Sequence, residues 1–463
     1  MGIPRLSGSF DMRQENKMNS IAAVVLFICT ATWGFSSPAG MPVILPLSEQ
    51  ARVMDDWLEL RLDRLAPELM RREGIDMWVL IAREYNEDPV LKTMLPATWF
   101  SARRRTILLF HDRGEAGVER LAVSRYDIGR FFQSAWDVDA QPDQWLRLVE
   151  IISERNPEKI AVNFSETFAL ADGISRTEFD SLRDALPDPM RARIVSGERL
   201  AVGWLETRIP EEMAVYPHIN RIAHRIIEEG FSEAAVQPSV TTTSQLQWWF
   251  RERIQGLGLQ TWFHPSVSLQ SSTGAQHEGD FSARAADEVI QPGDLLHVDF
   301  GITYLGLNTD TQRHAYVLKA GEVDAPKGLR DALAQGNRLQ DILTSHFRTG
   351  ETGNEILAAA LEQARNEGIR PSIYTHPIGM HGHGAGPAIG LWDRQEGVAG
   401  DGDYPLFPST AYSIELNVTV SVPEWNGQDV RIMLEEDAFF DGNAVRYIDG
   451  RQTKLYLIPR AGK

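Results

Sequence analysis

The first half of the chain alternates between helix-type and strand-type patterns of apolar residues. Within residues 47–74, apolar side chains recur three and four positions apart, which predicts an amphipathic helix. Short apolar runs follow at residues 77–82, 104–110 and 121–123, separated by polar stretches and further helical segments. This alternation predicts an α/β domain that ends near residue 200.

The second half begins with a long helical pattern and continues mainly with strands. The pattern of residues 213–230 ends on Gly230, a residue type suited to capping a helix. Another helix is predicted at residues 244–258, and strands at residues 294–304, 313–321 and 411–422. We place the domain boundary between residues 204 and 205. An α/β N-terminal domain (40–204) then precedes an α+β C-terminal domain (205–463).

Composition agrees with a folded chain of two domains. The 463 residues, 43% of them hydrophobic and 24% charged, suffice for two separate cores. The formal net charge of −18 argues against a nucleic-acid partner, because binding a phosphate backbone needs a basic surface.

Residues 21–33 form a short apolar run with basic residues before it and small residues after it. This arrangement is typical of a secretory signal peptide, and the run is shorter than the roughly 20 residues that span a bilayer. We expect residues 1–39 to be cleaved off after Ala39, together with the only cysteine, Cys29. The mature protein would be exported, to the periplasm or outside the cell, without a stable membrane anchor; anchoring is the alternative.

Asp299 and Asp310 lie on two apolar, strand-like runs joined by a turn at residues 305–308. Either residue alone would be interpreted as a turn or strand-end position. Ten residues separate them, and an even number of intervening residues in a hairpin places opposed side chains on one face. A carboxylate among apolar strand residues needs a partner or a metal ion. The pair therefore predicts a site.

Histidines and glutamates supply further candidate ligands in the same half. His376, His381 and His383 stand in a glycine-rich loop, whose compact backbone can bring imidazoles close to a ligand. Glu415 lies within the predicted strand 411–422, and Glu435 lies among apolar residues in the segment 431–440. Glu436 and Asp437, which follow Glu435, are expected to be solvated or to support the ligands from behind.

The five contexts VDFG, TDTQR, THPIG, SIEL and LEED, in this order, resemble the pita-bread metallopeptidases of family M24. That family includes aminopeptidase P, prolidase and methionine aminopeptidase. The preceding α/β domain resembles the creatinase/prolidase N-terminal domain, which methionine aminopeptidases lack. The resemblance is therefore nearer to Xaa-Pro aminopeptidase (aminopeptidase P) and prolidase, and it implies a pita-bread catalytic domain at residues 205–463.

The resemblance implies a centre of two divalent metal ions. Asp299 would hold one ion, His376 and Glu415 the other, and Asp310 and Glu435 would bridge them. Four carboxylates and one imidazole favour Mn²⁺, with Zn²⁺, Co²⁺ or Fe²⁺ as alternatives. A hydroxide shared by the two ions would attack the scissile amide carbonyl.

The resemblance also implies roles for residues beyond the ligands. Glu415 would shuttle a proton, His383 would hydrogen-bond the substrate and support the oxyanion, and His277 would position the substrate. The spacing of His381 does not match the family pattern. His297 shares a strand face with Asp299 and is either a support for the ligands or a packed strand histidine.

Two positions depart from the family pattern. Gln312 stands where the family usually has threonine, which removes a hydroxyl near the ligands. Met433 stands where many relatives have an arginine, two residues before Glu435, whereas Arg431 lies four residues before it. Contacts that the family arginine makes with substrate are expected to be absent or rearranged.

The resulting hypothesis is an Xaa-Pro aminopeptidase that acts on peptide substrates and forms a homodimer, as relatives commonly do. The first alternative is a prolidase-like Xaa-Pro dipeptidase with the same metal centre. The second comes from another class and covers amidinohydrolases such as creatinase, lyases and binding proteins on the same fold. Members that work without metal should lack part of the ligand set, and all five positions are filled here.

Overall fold

The computed structural model describes residues 40–272 and 287–460. The described residues from Leu45 onward form one compact unit, and the described residues 40–44, which are not part of it, contain no helix or strand. The predicted signal peptide lies outside the described residues, and the division between residues 204 and 205 stays a prediction. Among the helices described, none is both long enough and apolar enough to cross a membrane.

A six-stranded sheet organises the N-terminal half. Its strands are β1 (Met77–Arg83), β2 (Arg105–Asp112), β3 (Val118–Ala122), β4 (Gln133–Ser134), β5 (Ile160–Val162) and β6 (Ile194–Ser196). They lie in the order β4-β3-β2-β1-β5-β6. Strand β2 runs antiparallel to β1 and β3, whereas β5 runs parallel to β1 and β6. The apolar run at residues 77–82 is a strand, as its pattern predicts, and it lies in the interior of the sheet.

Helices complete this half. They are α1 (Leu47–Leu60), α2 (Ala66–Glu73), α3 (Pro89–Thr93), α4 (Gln144–Arg155), α5 (Arg176–Ala185), α6 (Asp188–Arg191) and α7 (Glu198–Glu206). A π-helical turn, Arg61–Leu65, joins α1 to α2. The helical stretch ends at Gly74, whose left-handed φ of 61° suits glycine. The helix predicted at residues 47–74 is confirmed, with a π turn inside it.

The side chains of β1 alternate between two hydrophobic cores. Trp78 and Leu80 pack on one face with residues of α1, α2, α3 and α7. Val79 and Ile81 pack on the other face with residues of α4 and α5. Both faces of the sheet are therefore covered, which explains why residues 77–82 of β1 are apolar at every position rather than at alternate ones.

Among its described residues, the C-terminal half has four long helices and several smaller sheets. The helices are α8 (Pro210–Gly230), α9 (Thr243–Gly256), α10 (Lys327–Ser345) and α11 (Gly353–Asn366). One sheet has the order β19-β11-β8-β7, with β7 at Ser266–Gln270, β8 at Leu295–Phe300, β11 at Thr311–Val317 and β19 at Tyr456–Ile458. A short pair, β9 (Thr303–Tyr304) with β10 (Leu307–Asn308), lies between β8 and β11 in the chain. The helix predicted to be capped by Gly230 includes that residue as its last.

Two further sheets carry the remaining candidate ligands. One consists of β12 (Pro371–Ile373), β15 (Leu416–Val422) and β16 (Gln428–Leu434). The other has the order β13-β14-β17-β18, with β13 at His376–Pro377, β14 at Thr410–Ser413, β17 at Asp437–Phe440 and β18 at Val445–Tyr447. Val418 and Ile432 join a hydrophobic core with residues of α10 and α11. The alternate residues of β15 and β16 therefore point away from this core.

Candidate metal centre

The two aspartates converge because β8 and β11 pair in an antiparallel register. Gln312 is the residue directly opposite Asp299. Asp310 directly precedes β11 and lies two positions before Gln312, so it shares the face of Asp299. The connection turns at Leu305 and Gly306, whose φ values of 55° and 75° fit a tight hairpin turn. The predicted convergence is confirmed. The two aspartates are not directly opposite each other, because the residue opposite Asp299 is Gln312, two positions after Asp310.

Breaks between strands place the two glutamates. Glu415 lies between β14 and β15, and Glu435 lies between β16 and β17, where its backbone forms an isolated bridge with Gln312. The prediction that Glu415 lies inside one strand, 411–422, is wrong, because the chain leaves the ladder at residues 414–415. This break moves the chain from one sheet to the next, and it lets Glu415 approach Glu435.

All five predicted ligands meet in two overlapping sets. One ligand atom from each of Asp299, Asp310 and Glu435 lies within 4.8 Å of the others, and the same holds for His376, Glu415 and Glu435. His376 Nε2 lies 3.4 Å from Glu435 Oε1 and 3.7 Å from Asp310 Oδ2. The geometry therefore matches two adjacent sites that share Glu435.

The donor atoms themselves fit divalent cations. Asp299 Oδ1, Asp310 Oδ1 and His376 Nε2 are buried without a hydrogen-bond partner among the described residues. The other nitrogen of His376, Nδ1, lies 3.0 Å from the carbonyl oxygen of Pro377, so it carries the proton. Nε2 then presents a lone pair, as metal-bound histidines do. Four carboxylates with one imidazole are a hard donor set suited to Mn²⁺ and similar ions.

The electrostatics indicate that the cluster needs positive charge. Burial, reinforced by the negative charge of Glu435, raises the pKa values of Asp299, Asp310 and Glu415 well above their ordinary values. Carboxylates that repel one another in a buried site cannot all ionise without a counterion. Divalent cations would supply that charge and allow the cluster to stay ionised at neutral pH.

Gln312 holds both glutamates, a role that the sequence did not reveal. Its side-chain nitrogen donates to Glu415 Oε1 at 2.5 Å and to Glu435 Oε2 at 2.8 Å. Its oxygen accepts a hydrogen bond from His297 Nε2 at 2.9 Å. Burial lowers the pKa of His297 to about 3, so this ring is neutral and donates through a single nitrogen. The sequence feature that could have indicated this role is that Gln312 stands where the family usually has threonine.

Glu436 and Asp437 are buried rather than solvated. Both side chains of the Arg313–Glu436 pair are buried, and the guanidinium donates to the two carboxylate oxygens at 3.0 and 2.9 Å. Asp437 accepts from the backbone N–H of Asp310 at 3.3 Å. The expectation of solvated acids is therefore wrong for both residues, whereas the alternative, support of the ligands from behind, fits Asp437.

The remaining predicted histidines separate into three cases. His383 packs edge-on against His376, with ring centroids 4.7 Å apart, and its side chain is exposed. It can form a third set of close donor atoms with Asp310 and His376. His381 is not part of these sets, and burial followed by the charge of Arg208 lowers its pKa. His277 lies outside the described residues.

Residues 218–446 match the model of a family described as metallopeptidase family M24. No curated protein sequence matches the chain.

Solved structures are similar over most of the chain. X-Pro aminopeptidase from Thermotoga maritima has a TM-score of 0.58 at 16% identity, covering 84% of this chain and 99% of that one. Dipeptidase PepE from Mycobacterium ulcerans has a TM-score of 0.58 at 18% identity, covering 88% and 99%. A histidine-to-alanine variant of Escherichia coli aminopeptidase P has a TM-score of 0.55 at 14% identity, covering 89% and 97%. At these identities the similarity shows the fold, which confirms the predicted α/β N-terminal domain and pita-bread catalytic domain.

Proposed function

Because residues 218–446 belong to metallopeptidase family M24, we propose that this chain is a dinuclear aminopeptidase that removes an N-terminal residue preceding proline. The observation that carries the proposal is the pair of overlapping donor sets that share Glu435. In this assignment Asp299, Asp310, His376, Glu415 and Glu435 would hold the two ions, with Asp299 on one, His376 and Glu415 on the other, and Asp310 and Glu435 shared. A single mononuclear site would leave part of this buried acid cluster without a counterion.

Two bound divalent ions would lower the pKa of a water molecule and polarise the scissile carbonyl. The protein's own groups do the rest. Glu415, half-buried beside His376, accepts the proton of the attacking water and delivers it to the leaving amine. His383, which is exposed beside His376, donates a hydrogen bond to the substrate near the scissile bond. We keep His277 as a substrate-positioning residue on the basis of the resemblance alone.

The test is a metal-reconstituted assay. The protein purified with Mn²⁺ should release the N-terminal residue from Xaa-Pro-peptides, and an Asp310→Ala variant should bind no metal and release none. If Mn²⁺, Zn²⁺, Co²⁺ and Fe²⁺ all fail to elicit amide hydrolysis, the proposal is wrong and the non-peptidase alternatives replace it.

A prolidase-like dipeptidase would use the same ligands, and dipeptidases stand among the similar structures. Hydrolysis of an Xaa-Pro dipeptide is therefore measured beside that of a longer Xaa-Pro-peptide. Cleavage of the dipeptide alone would replace the aminopeptidase proposal by the dipeptidase.

We also propose, from sequence, that the protein is exported after loss of residues 1–39 and that it forms a homodimer. N-terminal sequencing of the secreted protein should begin at Gly40. Light scattering should give twice the mass of the mature chain.

A further inference from the structure

A pocket rich in arginine lies at one end of the six-stranded sheet in the N-terminal half. It has a volume of about 430 Å³, which is within the range of about 300–1,000 Å³ that small-molecule sites occupy. Five arginines line this arginine pocket: Arg83, Arg103, Arg104, Arg105 and Arg125. None of the five belongs to the donor sets of the candidate metal centre. The proposed metal chemistry therefore gives the pocket no role.

The ends of three strands bring the arginines together. Arg83 is the last residue of β1 and Arg105 the first of β2, and the two are directly opposite each other in the antiparallel ladder. Arg125 follows shortly after β3 ends. Gln144, the first residue of α4, donates through its side-chain nitrogen to the carbonyl oxygens of Arg105 at 3.1 Å and of Val123 at 2.6 Å. The walls of the pocket are thus tied to the sheet.

Three consecutive arginines line the pocket, which a regular strand would not allow. Successive side chains of an extended strand point to opposite faces, so Arg104 would face away from Arg103 and Arg105. Arg104 instead has a left-handed φ of 52°, a conformation that is uncommon for residues other than glycine. Its backbone N–H donates to Glu84 Oε2 at 3.3 Å, and its carbonyl oxygen accepts from the backbone N–H of Glu84 at 2.6 Å. This turn lets all three arginines line one cavity.

One buried carboxylate neutralises only part of the charge of the pocket. Glu178, whose side chain is 1% exposed, lies 3.2 Å from Arg83 Nε and accepts from Arg105 Nε at 2.7 Å. Among the arginines of the pocket, only these two form an ion pair with a described residue. The other three are exposed: Arg103, Arg104 and Arg125. The pocket therefore concentrates positive charge in a protein whose net charge is −18.

Aromatic rings position two of the exposed guanidinium groups. The guanidinium carbon of Arg103 lies 5.0 Å from the ring centroid of Trp99, and that of Arg125 lies 5.8 Å from the ring centroid of Trp136. The indole N–H of Trp136 donates to the carbonyl oxygen of Gln141 at 2.7 Å, which fixes that ring. A ring contacts the flat face of a guanidinium group and leaves the N–H groups at its edge available. Both arginines can therefore donate to an anion.

The number and kind of these donors match a phosphate group. Phosphate presents several anionic oxygens, and a planar guanidinium can donate two parallel hydrogen bonds to a pair of them. A single carboxylate would balance only one of the three exposed arginines. We propose that the arginine pocket binds a phosphate group, held by Arg103, Arg104 and Arg125, either as free phosphate or as a phosphate monoester. Tyr126, a lining residue that is 43% exposed, offers a flat face to the organic part of a monoester.

The first experiment measures binding to the Mn²⁺-loaded protein by isothermal titration calorimetry. The probes are inorganic phosphate, adenosine 5′-monophosphate and acetate at low ionic strength. We expect one phosphate-bearing molecule to bind per chain with a Kd below about 1 mM, and acetate to bind at least about 10-fold more weakly. Tighter binding of the nucleotide would support a monoester ligand, and equal affinities would support free phosphate. If neither phosphate nor the nucleotide binds, or if acetate binds as tightly, the proposal is wrong.

Substitutions assign the binding to the arginines. Arg103→Gln and Arg125→Gln should each weaken phosphate binding by about 10-fold or more, because each removes a charge-assisted contact. The two residues lie on different segments, so one variant remains informative if the other does not fold. Arg446→Gln, in β18, removes an arginine whose side chain is 66% exposed, and as the matched control it should leave the affinity unchanged. Unchanged affinities in both pocket variants would overturn the assignment.

A second control separates the pocket from the metal centre, because bound metal ions also attract phosphate. Asp310→Ala removes a proposed metal ligand and should leave the phosphate affinity within about twofold of the wild type, since the two sites share no residue. Loss of phosphate binding in this variant, with full binding in both arginine variants, would place the anion at the metal centre and refute the pocket. The readout is binding alone, so failure of the peptidase function would leave this test intact.

Discussion

Two clusters of buried acids meet at the break between β16 and β17, and they balance their charge in different ways. Glu435 faces Asp299, Asp310 and Glu415, a cluster of carboxylates joined by a single histidine. Glu436, the next residue, is paired with the buried Arg313 and with His224. Neighbours in an extended chain point to opposite sides, which is why adjacent glutamates have different environments.

The pKa values express this difference. Burial would raise the pKa of Glu436, but Arg313 and His224 hold it below the ordinary value. Asp299, Asp310 and Glu415 have raised pKa values because burial is reinforced by like charges. One cluster is complete within the protein and stabilises the fold. The other is incomplete, because no arginine or lysine among the described residues pairs with it, and this supports the proposed metal site.

The largest expected effect comes from neutralising an acid of the incomplete cluster. Asp310→Asn should lower kcat/KM for an Xaa-Pro-peptide by at least about 1,000-fold, because one proposed ligand of the metal centre is lost. The free energy of unfolding in the presence of a chelator should not fall, because the change removes repulsion among buried carboxylates. Urea denaturation and steady-state assays measure both quantities. Asp188→Asn, at an exposed position, is the control.

The next prediction concerns the complete cluster, where a substitution should lower stability rather than activity. Glu436→Gln should lower the free energy of unfolding by about 3–5 kcal/mol, because Arg313 is left buried without its counterion. Urea denaturation measures the loss. Glu367→Gln breaks the exposed pair with Arg338 and should cost much less, because water screens that pair. Equal losses in the two variants would contradict the distinction between the clusters.

Glu206 is a buried acid outside both clusters, and it shows how the burial of a carboxyl group makes stability depend on pH. Burial raises the pKa of Glu206 from 4.5 to about 8, and its oxygen Oε2 has no hydrogen-bond partner among the described residues. The folded protein therefore binds this proton more tightly than the unfolded chain does. The contribution of Glu206 to stability is fully present below pH 4.5 and is lost as the pH rises through about 8.

Glu206→Gln should remove that pH dependence. Relative to the parent protein, the variant should gain about 2–4 kcal/mol in free energy of unfolding at pH 8 and almost nothing at pH 4. Urea denaturation at the two pH values tests this. A gain that is the same at both would show that Glu206 does not titrate in this range.

The smallest effect concerns the amide that bridges the two glutamates. Gln312→Ala removes the donor shared by Glu415 and Glu435, and it should reduce kcat or metal affinity by about 10- to 100-fold with little change in KM. Gln312→Glu keeps the shape but replaces the donor by another carboxylate, so its loss should be larger. Metal titration measures the metal affinity, and steady-state kinetics measure kcat and KM. Unchanged metal affinity together with unchanged kcat in Gln312→Ala would show that the two glutamates need no such support.

The sequence predicted those features that depend on local periodicity. The apolar run at residues 77–82 forms strand β1, and strand parity placed Asp299 and Asp310 on one face. Periodicity could not show the break at Glu415, because apolar residues continue on both sides of it without a glycine or proline.

Long-range pairing explains the other differences. Charged runs such as residues 435–437 are usually exposed, and a local pattern therefore predicts exposure. Glu436 is buried because Arg313 and His224, which are distant in sequence, pair with it. The role of Gln312 likewise depends on two glutamates that reach it from other strands. Such pairings exist only once the sheets have assembled, and no local pattern encodes them.

The central claim is that the incomplete cluster holds two divalent ions, and the most direct test is to count them. Protein dialysed against Mn²⁺ and then against metal-free buffer is analysed by inductively coupled plasma mass spectrometry, beside Asp310→Ala. We predict two ions per wild-type chain and none in the variant. Wild-type protein that retains no metal, or a variant that retains as much as the wild type, would contradict the account.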